Sequence, residues 1–317
     1  MTPNVSQLIA QMVYDIFEPE EVAVFQGDYN IATELLTYPF NHIFFTGSPK
    51  IGKIVMEKAA KHLSTVTLEL GGKSPNLVFA DCDLETQVKA SVDECMYNTG
   101  QSCDAPTRLL VERSCYADAL EIAKRAAMAT QVGDPEQEGD HIGPLFDQIQ
   151  FNRVQTMIGV GIDEGATVLA GGLGKPDGMD LGWYVKPTIF SDVPEDATIA
   201  RDEIFGPVLA IQTFDTESEA IEMANKSVYG LAASVWTSDL ARAMDLSEKL
   251  HVGTVSVNTV DALSAMTPFG GMKQSGFGRD LSIHSFDKYT ALKTIWAVSY
   301  THLRAHETKA NLGCRLL

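Results

Sequence analysis

The feature that most constrains the fold is a regular alternation of short apolar strands with amphipathic helices. In the first part of the chain the residue patterns predict helices at 6–17, 30–36 and 51–62 and strands at 21–26, 42–45 and 65–70. Further along they predict strands at 76–80, 108–111, 167–169, 208–214 and 232–236 and helices at 85–97, 116–128, 148–164, 217–225 and 240–250. A strand followed by a helix and another strand favours parallel pairing, so we expect an α/β fold. The Gly-rich residues 171–182 are predicted to form a surface loop.

Length and composition limit the class of protein. A chain of 317 residues corresponds to about two domains, and 45% hydrophobic with 21% charged residues is typical of a soluble globular chain. No apolar run of about 18 residues and no signal-peptide pattern are present, so we expect neither a membrane partner nor export. The net charge of -18 argues against a nucleic-acid partner, because a polyanion would be repelled.

The cysteines indicate a reducing compartment. There are five, at Cys82, Cys95, Cys103, Cys115 and Cys314, without the CxxC spacing of a metal site. An odd count without an export signal predicts reduced thiols, a cytoplasmic location and no bound metal. Each thiol could also be a small buried apolar group.

The first chemically suggestive segment is FFTGSPKIGK at residues 44–53. An apolar strand leads into Gly47 and Ser48, and Pro49 occupies the first helical position. Free N–H groups at such a helix start can bind an anion, and Gly52 would allow close helix packing. An ordinary strand–helix turn explains the same letters.

Two further segments each contain one reactive side chain. In LELGGKSP (residues 68–75), Glu69 lies between two leucines, where burial would raise the pKa of a carboxyl group towards that of a general base. In NTGQSCDAPTR (98–108), Cys103 lies in a turn, where substrate could reach it and its own N–H could face an oxyanion. A solvent-exposed Glu69 and a passively packed Cys103 are the alternatives.

The last two segments are structurally unusual. RDEIFGPVLA (201–210) reads as a buried strand preceded by a Gly-Pro turn. PFGGMKQSGFGRD (268–280) holds four glycines, which indicates a special loop or a close backbone approach. Its Lys273 and Arg279 could bind phosphate, but a structural crossover is the simpler interpretation.

These five segments, in this order, resemble the aldehyde dehydrogenase superfamily across residues 2–296. The spacing between Glu69 and Cys103 also resembles the spacing between that family's base and nucleophile. The resemblance implies an α/β, aldehyde dehydrogenase-like fold, with a partial Rossmann-type cofactor domain and an α/β catalytic domain.

The resemblance also implies roles for individual residues. Cys103 matches the nucleophile and Glu69 the base that activates water, while Ser102 lies beside the nucleophile in the substrate pocket. The positions that match cofactor contacts are Gly47 and Ser48 (pyrophosphate), Leu70 and Gly71 (nicotinamide), Glu203 (ribose hydroxyls) and Phe205 (packing beside that ribose).

The implied reaction is oxidation of an aldehyde to a carboxylic acid with NAD or NADP. A cysteine thiolate adds to the aldehyde, a hydride passes to the nicotinamide, and the resulting thioester is hydrolysed. Full-length relatives are expected to be homo-oligomeric, and the aldehyde itself is not specified by the sequence.

The resemblance further implies that part of the family's chain is not represented. An Asn of the oxyanion hole and a Lys that binds the adenosine ribose would precede Met1, so we expect an N-terminally truncated chain with poor solubility. The expected divisions are 1–68 (rear of the cofactor domain), 69–271 (catalytic domain), 272–298 (return segment with an oligomerisation strand) and 299–317 (unrelated or disordered tail).

Two other functions remain open at this point. The chain could be a catalytically inactive fragment, because it lacks the upstream Asn and Lys. It could instead transfer the acyl group to coenzyme A or phosphate, although Glu69 argues for hydrolysis. The segments up to Pro75 and those after it resemble different branches of the family, which a mosaic chain or a misassembled reading frame would explain.

Overall fold

A computed structural model describes residues 2–297. The α-helices within them are α1 (Pro3–Tyr14), α2 (Tyr29–Leu35), α3 (Pro49–Ala60), α4 (Leu84–Met96), α5 (Tyr116–Ala129), α6 (Gln148–Asp163), α7 (Thr198–Arg201), α8 (Glu217–Asn225) and α9 (Leu240–Lys249). Short 3-10 turns cover Tyr97–Gly100, Arg113–Cys115 and Ile283–Tyr289.

The strands in the described part of the chain form four sheets. They are β1 (His42–Gly47), β2 (Thr65–Leu70), β3 (Pro75–Val78), β4 (Arg108–Glu112), β5 (Gln131–Val132), β6 (His141–Ile142), β7 (Thr167–Ala170), β8 (Thr188–Ser191), β9 (Val208–Phe214), β10 (Tyr229–Gly230), β11 (Ala232–Trp236), β12 (Thr254–Val257), β13 (Met272–Lys273) and β14 (Gly276–Phe277).

Side-chain caps explain where several helices begin. Asp83, Asp147, Thr216 and Asp239 each accept a hydrogen bond from a backbone N–H in the first turn of α4, α6, α8 and α9, respectively. Such caps satisfy N–H groups that have no partner within the helix.

The main sheet has seven strands in the order β12-β11-β3-β4-β9-β8-β7. All its pairs are parallel except β7 with β8. Three clusters of buried hydrophobic side chains pack on and around it, including Val88, Leu109, Ile158, Phe190 and Val235, all 0% exposed. Because both faces are covered, most residues of the central strands are buried.

The smaller sheet has the order β1-β2-β14, with β1 parallel and β14 antiparallel to β2. Its helices are poorly covered. In α1 only Ala10 is buried, while Leu8, Ile9 and Met12 are 61%, 51% and 54% exposed. The apolar helix predicted at residues 6–17 is therefore present, but most of its apolar side chains remain exposed in the described chain.

The α/β prediction is confirmed, and one predicted strand is wrong. Residues 21–26 form no strand, because no strand of the described chain lies beside them to provide a hydrogen-bonded partner. In the segment 272–298, Tyr289 ends a 3-10 turn and residues 290–297 are irregular in the single chain. The oligomerisation strand expected in this segment stays a prediction, and residues 299–317 lie outside the described chain.

The remaining differences are smaller. Sequence patterns missed β8 and β12, which are four residues each, and the two-residue strands. Residues 171–182 form a loop, as predicted. The chain passes from the smaller sheet to the seven-stranded sheet at residues 71–74, between β2 and β3. The domain division expected at 68/69 lies close to this point and stays a prediction. Among residues 2–297, no helix is long and apolar enough to cross a membrane.

Candidate active site

The parallel pair β1–β2 brings the first two motifs to one edge of the smaller sheet. In the register of this pair, Thr46 lies opposite Glu69 and Gly47 lies opposite Leu70. Both strands therefore end side by side, with the helix start after β1 next to the Gly-Gly turn after β2.

The start of α3 has the geometry that the sequence predicts. Ser48 is its N-cap, with Oγ accepting from the N–H of Ile51 at 3.4 Å, and Pro49 occupies the first turn. Gly52 lies against β2, where an added Cβ would be 2.9 Å from the Leu70 side chain. The helix can approach the sheet this closely only because Gly52 lacks a side chain.

The Glu69 carboxyl group is buried and accepts no hydrogen bond from the described residues. Its side chain is 6% exposed, and neither carboxylate oxygen has a hydrogen-bond partner in the described part of the chain. Burial, followed by the nearby Asp280 carboxylate, raises the pKa of Glu69 to about 7, while Arg279 and Lys288 act in the opposite direction. The solvent-exposed alternative for Glu69 is excluded, and the group is poised to gain or lose a proton near neutral pH.

The turn before Cys103 is strained. Asn98, Thr99 and Gly100 all have positive φ, at 48°, 59° and 67°, a conformation that costs a β-branched residue such as Thr99 about 1–2 kcal/mol. Thr99 Oγ1 donates to the Gly143 carbonyl at 3.0 Å, and Asn98 Nδ2 donates to the Gln101 carbonyl at 3.0 Å. These bonds hold the strained turn that presents the cysteine.

The surroundings of Cys103 disfavour ionisation of its thiol. Burial, then Asp104, then Glu69, raise the pKa of the thiol to about 12. A hydrogen bond from the Cys103 N–H to the sulfur opposes this shift only in part. A proton acceptor near the sulfur would therefore favour its activation.

Glycine contacts join the motifs to one another. An added Cβ at Gly72 would lie 2.5 Å from the Cys103 carbonyl oxygen, and one at Gly100 would lie 2.2 Å from the Gly206 carbonyl oxygen. The segment that follows Glu69 thus packs on the turn of Cys103. That turn packs on residues 203–208 (EIFGPV). We name these close approaches the glycine junctions.

Glu203 meets the same Gly-Gly turn. One of its carboxylate oxygens accepts from the Gly72 N–H at 3.3 Å, and an added Cβ at Gly71 would lie 2.1 Å from the other. The next aromatic residue, Phe205, has φ of 58°, and its carbonyl accepts from Gln150 Nε2 at 2.6 Å. The structure therefore brings Glu203 to Gly71, as a shared cofactor site would require.

The Gly-rich segment packs against β2, and its lysine is bound by backbone carbonyls rather than free to bind phosphate. Gly276 pairs with Glu69 in register, and the Ser275 carbonyl accepts from the Leu70 N–H at 3.0 Å. The fully buried Ser275 hydroxyl donates to the Gly71 carbonyl at 2.7 Å. Lys273 donates to the carbonyls of Asn225 and Ser227, so the crossover interpretation is correct for this lysine.

Comparisons with known proteins agree with this geometry. The profile of the aldehyde dehydrogenase family matches residues 1–295. The chain belongs to the aldehyde dehydrogenase family. It is 41% identical over 301 residues to a 3-succinoylsemialdehyde-pyridine dehydrogenase of Pseudomonas sp, covering 92% of this chain and 62% of that protein.

Two more relatives match a similar share of this chain. A betaine aldehyde dehydrogenase of Rhizobium etli is 41% identical over 298 residues, covering 93% of this chain and 61% of that protein. The NAD+ complex of an aldehyde dehydrogenase from Bacillus cereus superposes with a TM-score of 0.83 at 40% identity, over 85% of this chain and 55% of that one. The aldehyde dehydrogenase chain described here thus spans about three fifths of the length of the curated relatives it matches.

Several charged residues of this aldehyde dehydrogenase site were missed by sequence reasoning. Asp104 accepts from Ser102 Oγ at 2.7 Å, and Asp104 and Asp261 line the same small cavity. Burial and the neighbouring carboxyl groups of Asp104 and Glu94 raise the pKa of Asp261 to about 8, because like charges disfavour ionisation. Only the adjacency of Asp104 to Cys103 was visible in the sequence.

Lys73 was missed as well. It lies in the GGKSP letters directly after Gly72, and its side chain is 1% exposed. A lysine between a Gly-Gly turn and a buried strand is a signal that could have drawn attention, because lysine is rarely fully buried.

Proposed function

We propose that this chain carries out the chemical steps of an aldehyde dehydrogenase, oxidising an aldehyde to a carboxylic acid with NAD or NADP. The observation that carries the proposal is Glu69: a buried carboxyl group without donors, with a pKa of about 7, packed through Gly72 against the turn of Cys103. A carboxyl group in that state can accept a proton and later return it at neutral pH.

The first step is addition of Cys103 to the aldehyde. The sulfur bonds to the carbonyl carbon, the carbonyl π bond breaks to leave an alkoxide oxygen, and the thiol proton passes to Glu69, because a raised pKa disfavours ionisation of the thiol without an acceptor. A nicotinamide cofactor, when bound, supplies the hydride acceptor that converts this adduct to a thioester.

Glu69 then acts a second time. After losing its proton to solvent, it takes one from a water molecule, whose oxygen bonds to the thioester carbon. The carbon–sulfur bond breaks, the carboxylic acid leaves and Cys103 regains its proton. Hydrolysis, rather than transfer to coenzyme A or phosphate, is favoured because a buried base stands beside the nucleophile.

The residues present fit a dinucleotide cofactor. The free N–H groups at the start of α3 lie at the same edge as Leu70 and Gly71, next to Glu203. The N–H groups with Gly47 and Ser48 would hold the pyrophosphate, and Glu203 with Phe205 would hold the nicotinamide ribose. Solved relatives include complexes with NAD+, which supports NAD for this chain.

The remaining assignments are also proposals. The chain divides into a cofactor part at 1–68, a catalytic part at 69–271 and a return segment at 272–298; full-length forms assemble as homo-oligomers. A cytoplasmic location fits the four free thiols of the described chain. The relatives named for betaine aldehyde and 3-succinoylsemialdehyde-pyridine support an aldehyde substrate without selecting one.

The test follows reduced-cofactor absorbance with NAD or NADP and short aliphatic or aromatic aldehydes. We expect turnover by the chain, none by Cys103→Ala, and full activity of the matched control Cys115→Ala. Glu69→Gln should lose at least about 100-fold in rate, and free acid should be the product. Full activity of Cys103→Ala would disprove the mechanism, acyl-CoA as product would establish the acylating reaction, and inactivity of the parent chain would identify an inactive fragment.

A further inference from the structure

The segment before Cys103 contains a glutamine that the chemistry described so far does not use. Gln101 lies two positions before the cysteine and directly follows the strained turn of Asn98, Thr99 and Gly100. Left-handed backbone at Asn98 and Thr99 is unfavourable by itself. Such a turn keeps one shape only when contacts with other segments oppose its relaxation.

Both ends of the Gln101 side chain are hydrogen-bonded. Its Oε1 accepts from the Phe146 N–H at 3.0 Å, and its Nε2 donates to the Asn98 carbonyl at 3.1 Å. The Gln101 backbone carbonyl in turn accepts from Asn98 Nδ2 at 3.0 Å. A glutamine amide offers both an acceptor and donors, so this one side chain joins the strained turn to a segment 45 positions further along the chain.

The segment that Gln101 reaches is itself fixed, and we name residues 143–147 the anchor segment. The Gly143 carbonyl accepts from Thr99 Oγ1 at 3.0 Å, which makes a second bond between the turn and the anchor segment. The Leu145 N–H donates to the Trp183 carbonyl at 3.0 Å, and the Leu145 side chain is buried in a hydrophobic cluster. Asp147 then caps α6. The anchor segment is therefore a firm support for the turn.

On the other side, the turn of Cys103 meets only the close approaches of backbone already described, at Gly72 and Gly206. These contacts limit how near the segments come, but they are not directional. The Ser102 hydroxyl donates to Asp104, within the turn itself. Gln101 therefore supplies the directional contact with a distant segment immediately before the cysteine.

We propose that Gln101 is a positioning residue, whose side-chain amide ties the turn before Cys103 to the anchor segment and so fixes where the sulfur and the N–H of Cys103 point. The inference rests on the proposed role of Cys103 as the nucleophile, which it deepens by assigning the contact that aims it. Alignment matters because a displacement of about 1 Å at a reacting group can lower the rate about 100-fold.

The primary experiment needs neither cofactor nor turnover. The chain and its variants are treated with iodoacetamide, and alkylation of each cysteine-containing peptide is followed by mass spectrometry. Gln101→Met keeps the length of the side chain and removes both of its hydrogen bonds. We expect Cys103 to react about 10-fold faster in this variant, because a released turn exposes the sulfur to water, and burial is the largest cause of the raised pKa of this thiol.

Folding should survive the change, because Gln101 is only half-buried and water can replace the lost partners. Cys95, which is 0% exposed, reports on opening of the whole chain and should react as slowly as in the parent. Gln101→Asn retains the amide but shortens the side chain by one methylene group. It should also accelerate alkylation of Cys103, because its amide no longer reaches Phe146.

The matched control is Gln155→Met. Gln155 Oε1 accepts from the Gly174 N–H at 2.7 Å, so this glutamine also ties two segments through one amide, but it joins α6 to the Gly-rich loop. The rate at Cys103 should stay at the parent value in this variant. An unchanged Cys103 rate in both Gln101 variants overturns the inference, and so does an equal acceleration at Cys95 and Cys103.

Steady-state kinetics with NAD and an aldehyde supplies the second arm. Gln101→Met should lower kcat at least about 10-fold and leave the KM for NAD within about 2-fold, because the change acts on the reacting sulfur. An unchanged kcat with a raised KM would contradict the inference. If the parent chain shows no turnover while Gln101→Met accelerates alkylation of Cys103 alone, the proposed function fails and the positioning role of Gln101 stands.

Discussion

The two sheets use the same strand–helix pattern but differ in what covers them. The seven-stranded sheet carries three hydrophobic clusters, and none of their residues precedes Leu77. Within residues 2–68, the buried hydrophobic side chains are only Ala10, Val55, Ala59 and Leu68. We call residues 2–68 the front part and the seven-stranded sheet with its helices the main part.

The comparison teaches that an amphipathic pattern specifies an element but not its burial. Phe25 in the front part is 65% exposed and Leu63 is 91% exposed. An apolar side chain stabilises only when other atoms cover it, at about 25 cal/mol per Å². The exposed apolar face also supports the expectation of self-association, which stays a prediction.

The largest expected difference between the two parts is in their response to the loss of a leucine side chain. Leu110→Ala in the main part removes a side chain that is 0% exposed and should lower the free energy of unfolding by about 2–5 kcal/mol. Leu8→Ala in α1 should change it by less than about 0.5 kcal/mol. Chemical unfolding of both variants checks this, and equal losses would show that α1 is covered in solution.

The return of the chain from the main part to β2 of the smaller sheet can be broken at one glycine. Gly276 has φ of 105°, and a Cβ there would lie 2.0 Å from the Leu68 carbonyl oxygen. Gly276→Ala should therefore cost about 3 kcal/mol and detach β14 from β2.

The matched control for that change is Gly178→Ala. Gly178 also has positive φ, at 77°, but no atom lies within 4 Å of the added Cβ, so the cost should be about 1 kcal/mol. Equal losses in the two variants, measured by thermal unfolding, would show that backbone strain rather than the contact between β14 and β2 dominates.

Glu69 lies where the parts meet, and its stability contribution depends on pH. The unfolded state loses the proton near 4.5 and the native state near 7, so rising pH between these values destabilises the native state. Glu69→Gln avoids this loss and, allowing for partial solvent access, should be more stable than the parent by about 2 kcal/mol at pH 8. Below pH 4.5 the two should be alike in chemical unfolding, and a constant difference at all pH values would refute the raised pKa.

The smallest expected effect is one in which the two parts behave alike. Ser48 caps α3 in the front part and Thr216 caps α8 in the main part, each accepting a backbone N–H. Replacing either with alanine should cost about 1 kcal/mol, because a cap acts within one helix turn. A loss at Thr216 but not at Ser48, in parallel unfolding measurements, would show that the front part unfolds separately.

Much of the fold was predictable where single segments carry enough signal. Strands β2, β9 and β11 and helix α8 begin and end at the predicted residues. Long apolar runs and capped helices are local signals. The four-residue strands β8 and β12 were not predictable, because neighbouring strands rather than their own letters make them strands.

The candidate site, like the fold, was predictable only in part. Motif letters pointed to Glu69 and Cys103, but not to the raised pKa of the Cys103 thiol, since that depends on burial and on Asp104. They also did not show that Glu203 rests on Gly71, more than a hundred positions away in the chain. Contacts between distant segments leave no periodic trace in either segment.

The glycine junctions bear on how such a chain tolerates recombination. Two of these contacts, Gly72 with Cys103 and Gly100 with Gly206, are made by backbone atoms that every relative supplies. A crossover between two lineages that exchanges whole motifs would therefore carry in new side chains without a new clash, provided that each glycine is retained. If the early and late motifs of this sequence come from different branches, as the resemblance implies, one intact site is still expected for that reason.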